Sequence, residues 1–279
     1  MVENNAETPF VSGMYRGFAR ESLVSPALLE FLHDPDRAFS DPASTIIKDS
    51  YTTSSCTVGR EQRSLHIKRY NYQNTFYSLK YFFRASRAKR VWQVAQHLIS
   101  FNIPTPQPIS FLDQRKGGLL IKSFFISKTI DGAVPLNSAI QELNACRASR
   151  DTAQKKTLIQ QAAHLVRVLH ECGICHRDLK ASNILVQKNP GQAQELYLTD
   201  LDSARVQTRI RTKERIRDLA RLNASLFYTT GISTADRLRF LRDYLKTCSA
   251  RDKKLHLYWK AIAVQTLKKL KPNSMQGTQ

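Results

Sequence analysis

Apolar and polar positions alternate with period two over short stretches of the first half of the chain, and recur at helical spacing through much of the second. "RSLHIKRYN" sets Leu65 and Ile67 against His66 and Lys68, which is a strand pattern. Residues 45–47, 108–112 and 118–125 also read as strands. So do 184–186 and 196–199, on either side of the turn "KNPG". In "YFFRASRAKRVWQVAQHLI" the side chains of Val91, Ala95, Leu98 and Ile99 share a helical face, and the prolines of "NIPTPQPI" stop the helix. Residues 152–171 form an amphipathic helix in which Leu158, Ala162, Leu165 and Leu169 recur at four, three and four, with Gly173 after it. From 212 to 270 the pattern is mostly helical, and Thr234 is the expected N-cap of "TADRLRFLRDYL".

This order predicts an α+β fold with two lobes: a small β-rich N-lobe over residues 45–130 and a helical C-lobe over 131–279. "ISKTIDGAVPL" reads as the linker between them, with turn chemistry at Asp131 and Gly132. Residues 1–44 are polar and carry Pro9, Pro26, Pro35 and Pro42. They read as an N-terminal extension with one short helix near 27–33.

Composition supports a folded protein, with 42% hydrophobic and 24% charged residues in 279. No apolar run reaches the ~18–20 residues of a membrane span, and "MVENNAETPF" lacks the basic-then-apolar order of a secretory signal. A cytoplasmic location is expected. Five cysteines cannot all pair with one another. The "CGIC" of Cys172 and Cys175 is either structural or a zinc or redox site, and no second ligand pair has matching spacing.

The formal charge of +20 asks for an anionic partner. Between Arg60 and Arg90 there are nine Lys or Arg and one Glu, and "RVQTRIRTKERIRDLAR" is a second basic run. Nucleic acid, an anionic membrane surface and a phosphorylated substrate would all fit. No zinc-finger or RNA-recognition signature accompanies the charge, which argues against nucleic acid.

The chemistry concentrates in "CHRDLKASNILV" and the later "LYLTDLDSARV". Phosphoryl transfer requires metal ions on the phosphates, a cation on the nucleotide and a carboxylate beside the attacking hydroxyl. Asp178 suits the last role, as acceptor of the hydroxyl proton. Lys180 suits neutralisation of the transferred group. Asn183, through its amide oxygen, and Asp200 suit Mg2+ or Mn2+. Lys68, on a strand of the other lobe, suits the α- and β-phosphates of ATP. The His-Arg-Asp loop, Asn183 five residues after Asp178, and an Asp ending the next strand together resemble the protein-kinase-like superfamily. His176 and Arg177 are expected to hold the loop together, Arg177 by neutralising a buried carboxylate or carbonyl cluster.

Three longer segments narrow the resemblance. "SRAKRVWQVAQHLISFNIPTPQPI", "GGLLIKSFFISKTIDGAVPL" and "DLARLNASLFYTTGISTADRLRFLRDYL" resemble the bacterial lipopolysaccharide core kinases, the WaaP/InaA family with its Kdo-kinase-like members, over roughly residues 45–248. The resemblance implies a kinase-like fold with a reduced C-lobe. It also implies ATP-dependent phosphorylation of a sugar hydroxyl, on heptose or Kdo of the inner core, at the cytoplasmic face of the inner membrane. The absence of Ala-Pro-Glu after Asp200 agrees with a non-peptide acceptor, and an anionic glycolipid gives the basic charge a purpose. "LYWKAIAVQTLKKLK" could lie on a membrane or pack as a core helix.

The sequence departs from the kinase pattern at three places. "YTTSSCTVG" replaces a Gly-rich loop, so backbone N–H groups of a Thr53, Ser54 and Ser55 turn could cradle phosphate, or the turn could be a plain hairpin. The helix over 81–99 has no acidic residue to pair with Lys68. His66 stands where a small residue is usual and could stack on adenine or crowd it. Asp202 could add a carboxylate near the metals or cap the departing chain. A small atypical protein kinase of the Rio kind, and a non-catalytic kinase fold acting as a binding module, are the competing readings. Oligomeric state is not legible.

Overall fold

The computed structural model describes residues 7–20, 23, 26, 29–59, 64–71, 81, 84–145, 149–188, 194–247 and 251–270. The chain forms two compact units. One is Met1–His97 with Pro106–Asp131, and the other is Leu98–Thr105 with Gly132–Gln279.

The first unit is built on strands β1 (Thr8–Ser12), β2 (Tyr15–Ala19), β3 (Thr45–Asp49), β4 (Thr53–Val58), β5 (Leu65–Asn71), β6 (Pro108–Lys116) and β7 (Leu119–Lys128). They make one seven-stranded sheet in the order β1-β2-β6-β7-β5-β4-β3, with every neighbouring pair antiparallel. The alternation in β5 does what its sequence predicts. Leu65 and Ile67 join Cys56, Phe124, Phe31, Leu32 and Ala38 in one buried cluster. Phe31 and Leu32 come from a short helix, α1 (Glu30–His33).

Residues 1–44, read from the sequence as an extension, thus contribute two strands, a helix and part of this core. An ionic clamp adds to the packing. Asp36 accepts from Arg69 at 2.9 Å and from Lys122 at 2.6 Å, tying this segment to β5 and β7. Pro9 is tolerated because β1 lies at the sheet edge, where a missing N–H costs no ladder bond.

Helix α2 (Arg87–Ser100) starts at Ser86, whose hydroxyl accepts the Lys89 N–H at 3.0 Å. It ends where Asn102 turns left-handed (φ 53°) and the Ile103 N–H reaches back to the Leu98 carbonyl. Trp92 of this helix packs on Phe111 of β6 with ring centroids 5.8 Å apart.

The second unit contains β8 (Val134–Pro135), helices α3 (Leu136–Ala145) and α4 (Ser149–Glu171), β9 (Ile174–Cys175), β10 (Ile184–Gln187), β11 (Glu195–Leu198), β12 (Arg205–Val206), and helices α5 (Thr212–Ser225), α6 (Thr234–Tyr244) and α7 (Arg251–Leu270). The strands form two small sheets, β11-β10-β8 and β12-β9. The expected linker is therefore largely ordered: Ile126 to Lys128 finish β7, and Val134 and Pro135 pair with β10. The N-cap of α6 is Ser233 rather than Thr234. Its hydroxyl accepts the Asp236 N–H, and Asp236 answers on the Ser233 N–H, a reciprocal capping box.

Gly173 turns the chain from α4 into β9 with φ 77°, and a Cβ there would lie 2.0 Å from the Gln207 carbonyl oxygen. Glycine is required at this point by both conformation and space. Among the helices lies an apolar cavity of about 250 Å³, walled by Leu136, Ile140, Ile159, Leu219, Phe240 and Trp259 among others. No helix among the described residues is long and apolar enough to cross a membrane.

Candidate active site

In the second unit, the loop from His176 to Asn183 joins β9 to β10, and a buried carboxylate on α5 holds it. Asp218 is fully buried and accepts the backbone N–H of His176 at 2.8 Å and of Arg177 at 2.9 Å, with the Cys175 thiol at 3.2 Å. Arg177 has φ 65°, a conformation non-glycine residues adopt only under constraint. That turn aims its N–H at Asp218 while its side chain is exposed. The expectation that the Arg177 guanidinium neutralises a buried group is thereby corrected: the backbone N–H serves the carboxylate.

Burial alone would raise the Asp218 pKa. Hydrogen bonding from His170, and from the Arg177 N–H and the Cys175 thiol, outweighs it and holds the carboxyl below its usual value. The thiol responds oppositely. Burial, and then the Asp218 charge, push Cys175 up to about 12, so it stays protonated and donates. Cys175 of "CGIC" is thus a structural donor.

Behind this pair sits His170. It is buried, with Nε2 3.5 Å from Asp218 Oδ2 and Nδ1 2.8 Å from the Tyr244 hydroxyl. Arg215 donates to that hydroxyl at 3.2 Å. The hydroxyl therefore donates its own proton to Nδ1, which leaves the ring proton on Nε2, the nitrogen 3.5 Å from Asp218 Oδ2. Burial pushes the His170 pKa below its ordinary 6.5, while Asp218 pulls it upward.

A group whose folded pKa is depressed contributes stability above its unfolded pKa and loses it as pH falls. His170 and Asp218 both act in that direction, and the histidine is the first to do so, below 6.5. The melting temperature is expected to fall as pH drops from about 7 to about 5, and His170→Gln should flatten that slope. An unchanged slope in the variant would exclude His170 as the source.

Lys180 Nζ lies 2.9 Å from Asp178 Oδ2, with both side chains partly open to solvent. Asn183 donates its amide nitrogen to the Asp178 carbonyl at 2.9 Å, which orients the amide oxygen away from that bond. The Asn183 carbonyl accepts the Thr199 N–H at 2.9 Å, and Asp200 is the next residue along the chain after β11. Asp200 itself is left-handed (φ 53°), a corner leading into the short 3-10 turn Leu201–Ser203 that contains Asp202. His176 supports this corner through Nε2, 3.0 Å from the Thr199 carbonyl. From the other side, the Ser225 hydroxyl accepts the Ala181 N–H at 2.8 Å. The amide and carboxylate oxygens of Asn183 and Asp200 are hard donors of the type Mg2+ takes, with phosphate oxygens and water completing its shell. The residues fit the ion.

In the first unit, Lys68 lies on β5 with its ammonium 5.7 Å from the Tyr70 ring centroid, and Arg87 of α2 stands over the same ring at 4.6 Å. The expected phosphate-cradling turn is corrected. Thr53, Ser54 and Ser55 are buried strand residues, flanked by β3 and β5 on either side, so their backbone belongs to the sheet. The Ser54 hydroxyl donates to Asp49 at 2.7 Å. The hairpin tip is Tyr51 and Thr52, closed by paired bonds between Ser50 and Thr53.

Asp218, His170 and Ser225 escaped the sequence reading, although two of them carried a signal. Asp218 shares a helical face with the buried Leu222, and His170 shares one with Val166. A polar residue on an apolar face announces a buried partner.

The chain is similar to the 3-deoxy-D-manno-octulosonic acid kinase of Haemophilus influenzae, 31% identical over 118 residues, or 42% of this chain and 45% of that one. It is also similar to the lipopolysaccharide core heptose(I) kinase WaaP of Escherichia coli, 26% identical over 161 residues, or 56% of this chain and 59% of that one. The matches span about half the length of these curated relatives. Among solved structures, WaaP in complex with acyl carrier protein superimposes with a TM-score of 0.66, covering 88% of this chain and 95% of that one at 18% identity, which shows a shared fold. The model of the lipopolysaccharide kinase (Kdo/WaaP) family matches residues 44–244. With that match covering most of its length, the chain belongs to the lipopolysaccharide kinase (Kdo/WaaP) family.

Proposed function

We propose that the protein is an ATP- and Mg2+-dependent kinase that phosphorylates a sugar hydroxyl, on heptose or Kdo, of the lipopolysaccharide inner core or a related glycolipid. The observation that carries this reading is the loop from Asp178 to Asn183, fixed at its start by Asp218 and at its end by Thr199. Asp178 takes the proton of the attacking hydroxyl. Lys180, 2.9 Å from Asp178, is assigned to meeting charge on the transferred group. Asn183 and Asp200 would hold the metal, which when bound neutralises the phosphate oxygens. Lys68 is assigned to the α- and β-phosphates. The domain reading of an N-lobe over 45–130 and a C-lobe over 131–279 is kept as part of this proposal, with residues 7–20 and 29–44 now added to the first. Phosphate transfer from ATP to core oligosaccharide, compared with transfer to protein, tests it.

Peripheral contact with the cytoplasmic face of the inner membrane is proposed from α7. Leu257, Val264 and Leu267 are 65%, 47% and 58% exposed and fall on one helical face with Lys260. Apolar side chains beside lysines on a strongly basic chain suit an anionic bilayer surface. Leu257→Gln with Leu267→Gln should reduce sedimentation with anionic phospholipid vesicles several-fold and leave the melting temperature nearly unchanged, because both side chains are outside the core. Equal binding by the variant would exclude this face. Acyl carrier protein is a further proposed partner, since the WaaP of similar fold is in complex with it, and the apolar cavity offers space for an acyl chain. Copurification of the two proteins checks this.

A further inference from the structure

The C-terminal turn of α5 is fastened to the catalytic loop. The Ser225 hydroxyl accepts the Ala181 N–H at 2.8 Å and donates to the Leu222 carbonyl at 2.8 Å, so its position is fixed from both sides. Ala181 directly follows Lys180 and lies one short turn of chain from Asp178. Beyond Ser225 the chain stays coiled. The Phe227 N–H reaches the Ala224 carbonyl at 3.1 Å, and the Thr229 N–H reaches the Leu226 carbonyl at 3.3 Å. Tyr228 therefore follows Ser225 by one turn, ~5–6 Å.

This segment is pinned along its length. Arg237 of α6 donates to the Leu226 carbonyl at 3.1 Å and to the Asn223 carbonyl at 3.3 Å, and its guanidinium also donates to Asn223 Oδ1. Lys155 of α4 donates to the Gly231 carbonyl at 2.9 Å. Gly231 has φ 91°, and a Cβ there would lie 2.6 Å from the Asn144 side chain, so glycine lets the turn sit against α3. Within this frame the Phe227 ring lines the apolar cavity and has the Arg237 guanidinium over it at 5.8 Å. The Tyr228 ring meets the Phe227 ring edge to face, with centroids 5.1 Å apart. It is 80% exposed, more than any other large apolar or aromatic side chain among the described residues.

A single exposed aromatic side chain is ordinary. Tyr228 differs in being braced, on a pinned turn, beside the loop that carries Asp178. A pyranose ring presents C–H groups on its faces and hydroxyls around its rim. An aromatic face carries the negative potential that such C–H groups seek, and a tyrosine hydroxyl suits the rim. A turn ordered in advance also lowers the entropy lost on binding. We propose that Tyr228, backed by Phe227, is the sugar-stacking residue of the acceptor site, holding the ring that bears the reacting hydroxyl, or the ring next to it, beside Asp178. This rests on the kinase reading above and names a residue that selects a sugar as acceptor.

Transfer kinetics with de-acylated core oligosaccharide, an acceptor that brings no bilayer with it, test the proposal. Tyr228→Ala is expected to raise the acceptor KM by about tenfold, with a much smaller change in kcat and in the KM for ATP. Tyr228→Phe should keep most of the wild-type affinity because the ring face remains, whereas Tyr228→Leu, apolar without that face, should behave like alanine. All three should melt close to the wild type, since the side chain lies outside the core. A phenylalanine variant as impaired as the alanine one would assign the effect to the hydroxyl and overturn stacking. An active enzyme whose acceptor KM is unmoved by Tyr228→Ala overturns the role and leaves the kinase reading standing. If that same variant sediments less with anionic phospholipid vesicles, the ring serves a bilayer and the sugar role is equally overturned. A wild type that transfers phosphate to no oligosaccharide overturns the kinase reading, and the stacking residue with it.

Discussion

Asp178→Asn is expected to lower phosphate transfer by about a thousandfold while leaving the protein folded and able to bind nucleotide. The position of this residue explains the separation. The loop is held by backbone groups at His176 and Arg177, and by the Asn183 amide on the Asp178 carbonyl. None of these bonds uses the Asp178 side chain. The carboxylate's described ion pair is with Lys180, half-exposed, and such pairs add on the order of 0–1 kcal/mol to stability. Asparagine keeps the shape but cannot take a proton from a hydroxyl. Steady-state rates and a melting curve on the same preparation check this. Loss of activity accompanied by a comparable loss of folded protein would mean that Asp178 is structural.

Asp218→Ala should do the opposite: it should cost the fold first, by about 3–5 kcal/mol. It removes the acceptor for two backbone N–H groups and a thiol, all buried or nearly so, and leaves the left-handed Arg177 without the bond that constrains it. His170 loses its charged neighbour at the same time. Asp218→Asn is the more discriminating variant, because it keeps one acceptor oxygen and places an amide N–H2 against the remaining donors. It should be intermediate in stability. Its His176 and Arg177 amides should exchange hydrogen faster than the surrounding helices, with kcat reduced even where the protein remains folded. If both variants melt like the wild type, Asp218 is not the anchor.

How much of this was readable in advance differs by residue. Asp178, Lys180, Asn183 and Asp200 stand at fixed offsets in one loop and the strand pair after it, so spacing alone grouped them, and a backbone bond from Thr199 to the Asn183 carbonyl joins the loop to the residue before Asp200. Asp218 lies some forty residues away in a basic helical run. Its partner is a backbone turn, which leaves no mark in a sequence. Strands β1 and β2 were hidden by Pro9 and by the short, glycine-broken pattern from Gly13 to Gly17, although Phe10, Tyr15 and Ala19 are all buried. Thr53 to Ser55 show the converse error. A Ser/Thr run reads as turn chemistry, but flanking strands on both sides turned it into a ladder. Local propensity yields to pairing whenever a segment has partners along both edges.

In the proposed function the Asp178 loop serves a sugar hydroxyl. The most direct measurement of this is mass spectrometry of core oligosaccharide incubated with ATP, Mg2+ and either the wild-type protein or Asp178→Asn. One phosphoryl group added to a heptose or Kdo residue by the wild type, and absent with the variant, is the expected result. Unmodified oligosaccharide alongside phosphate transferred to protein, or an equal product from both enzymes, would contradict it.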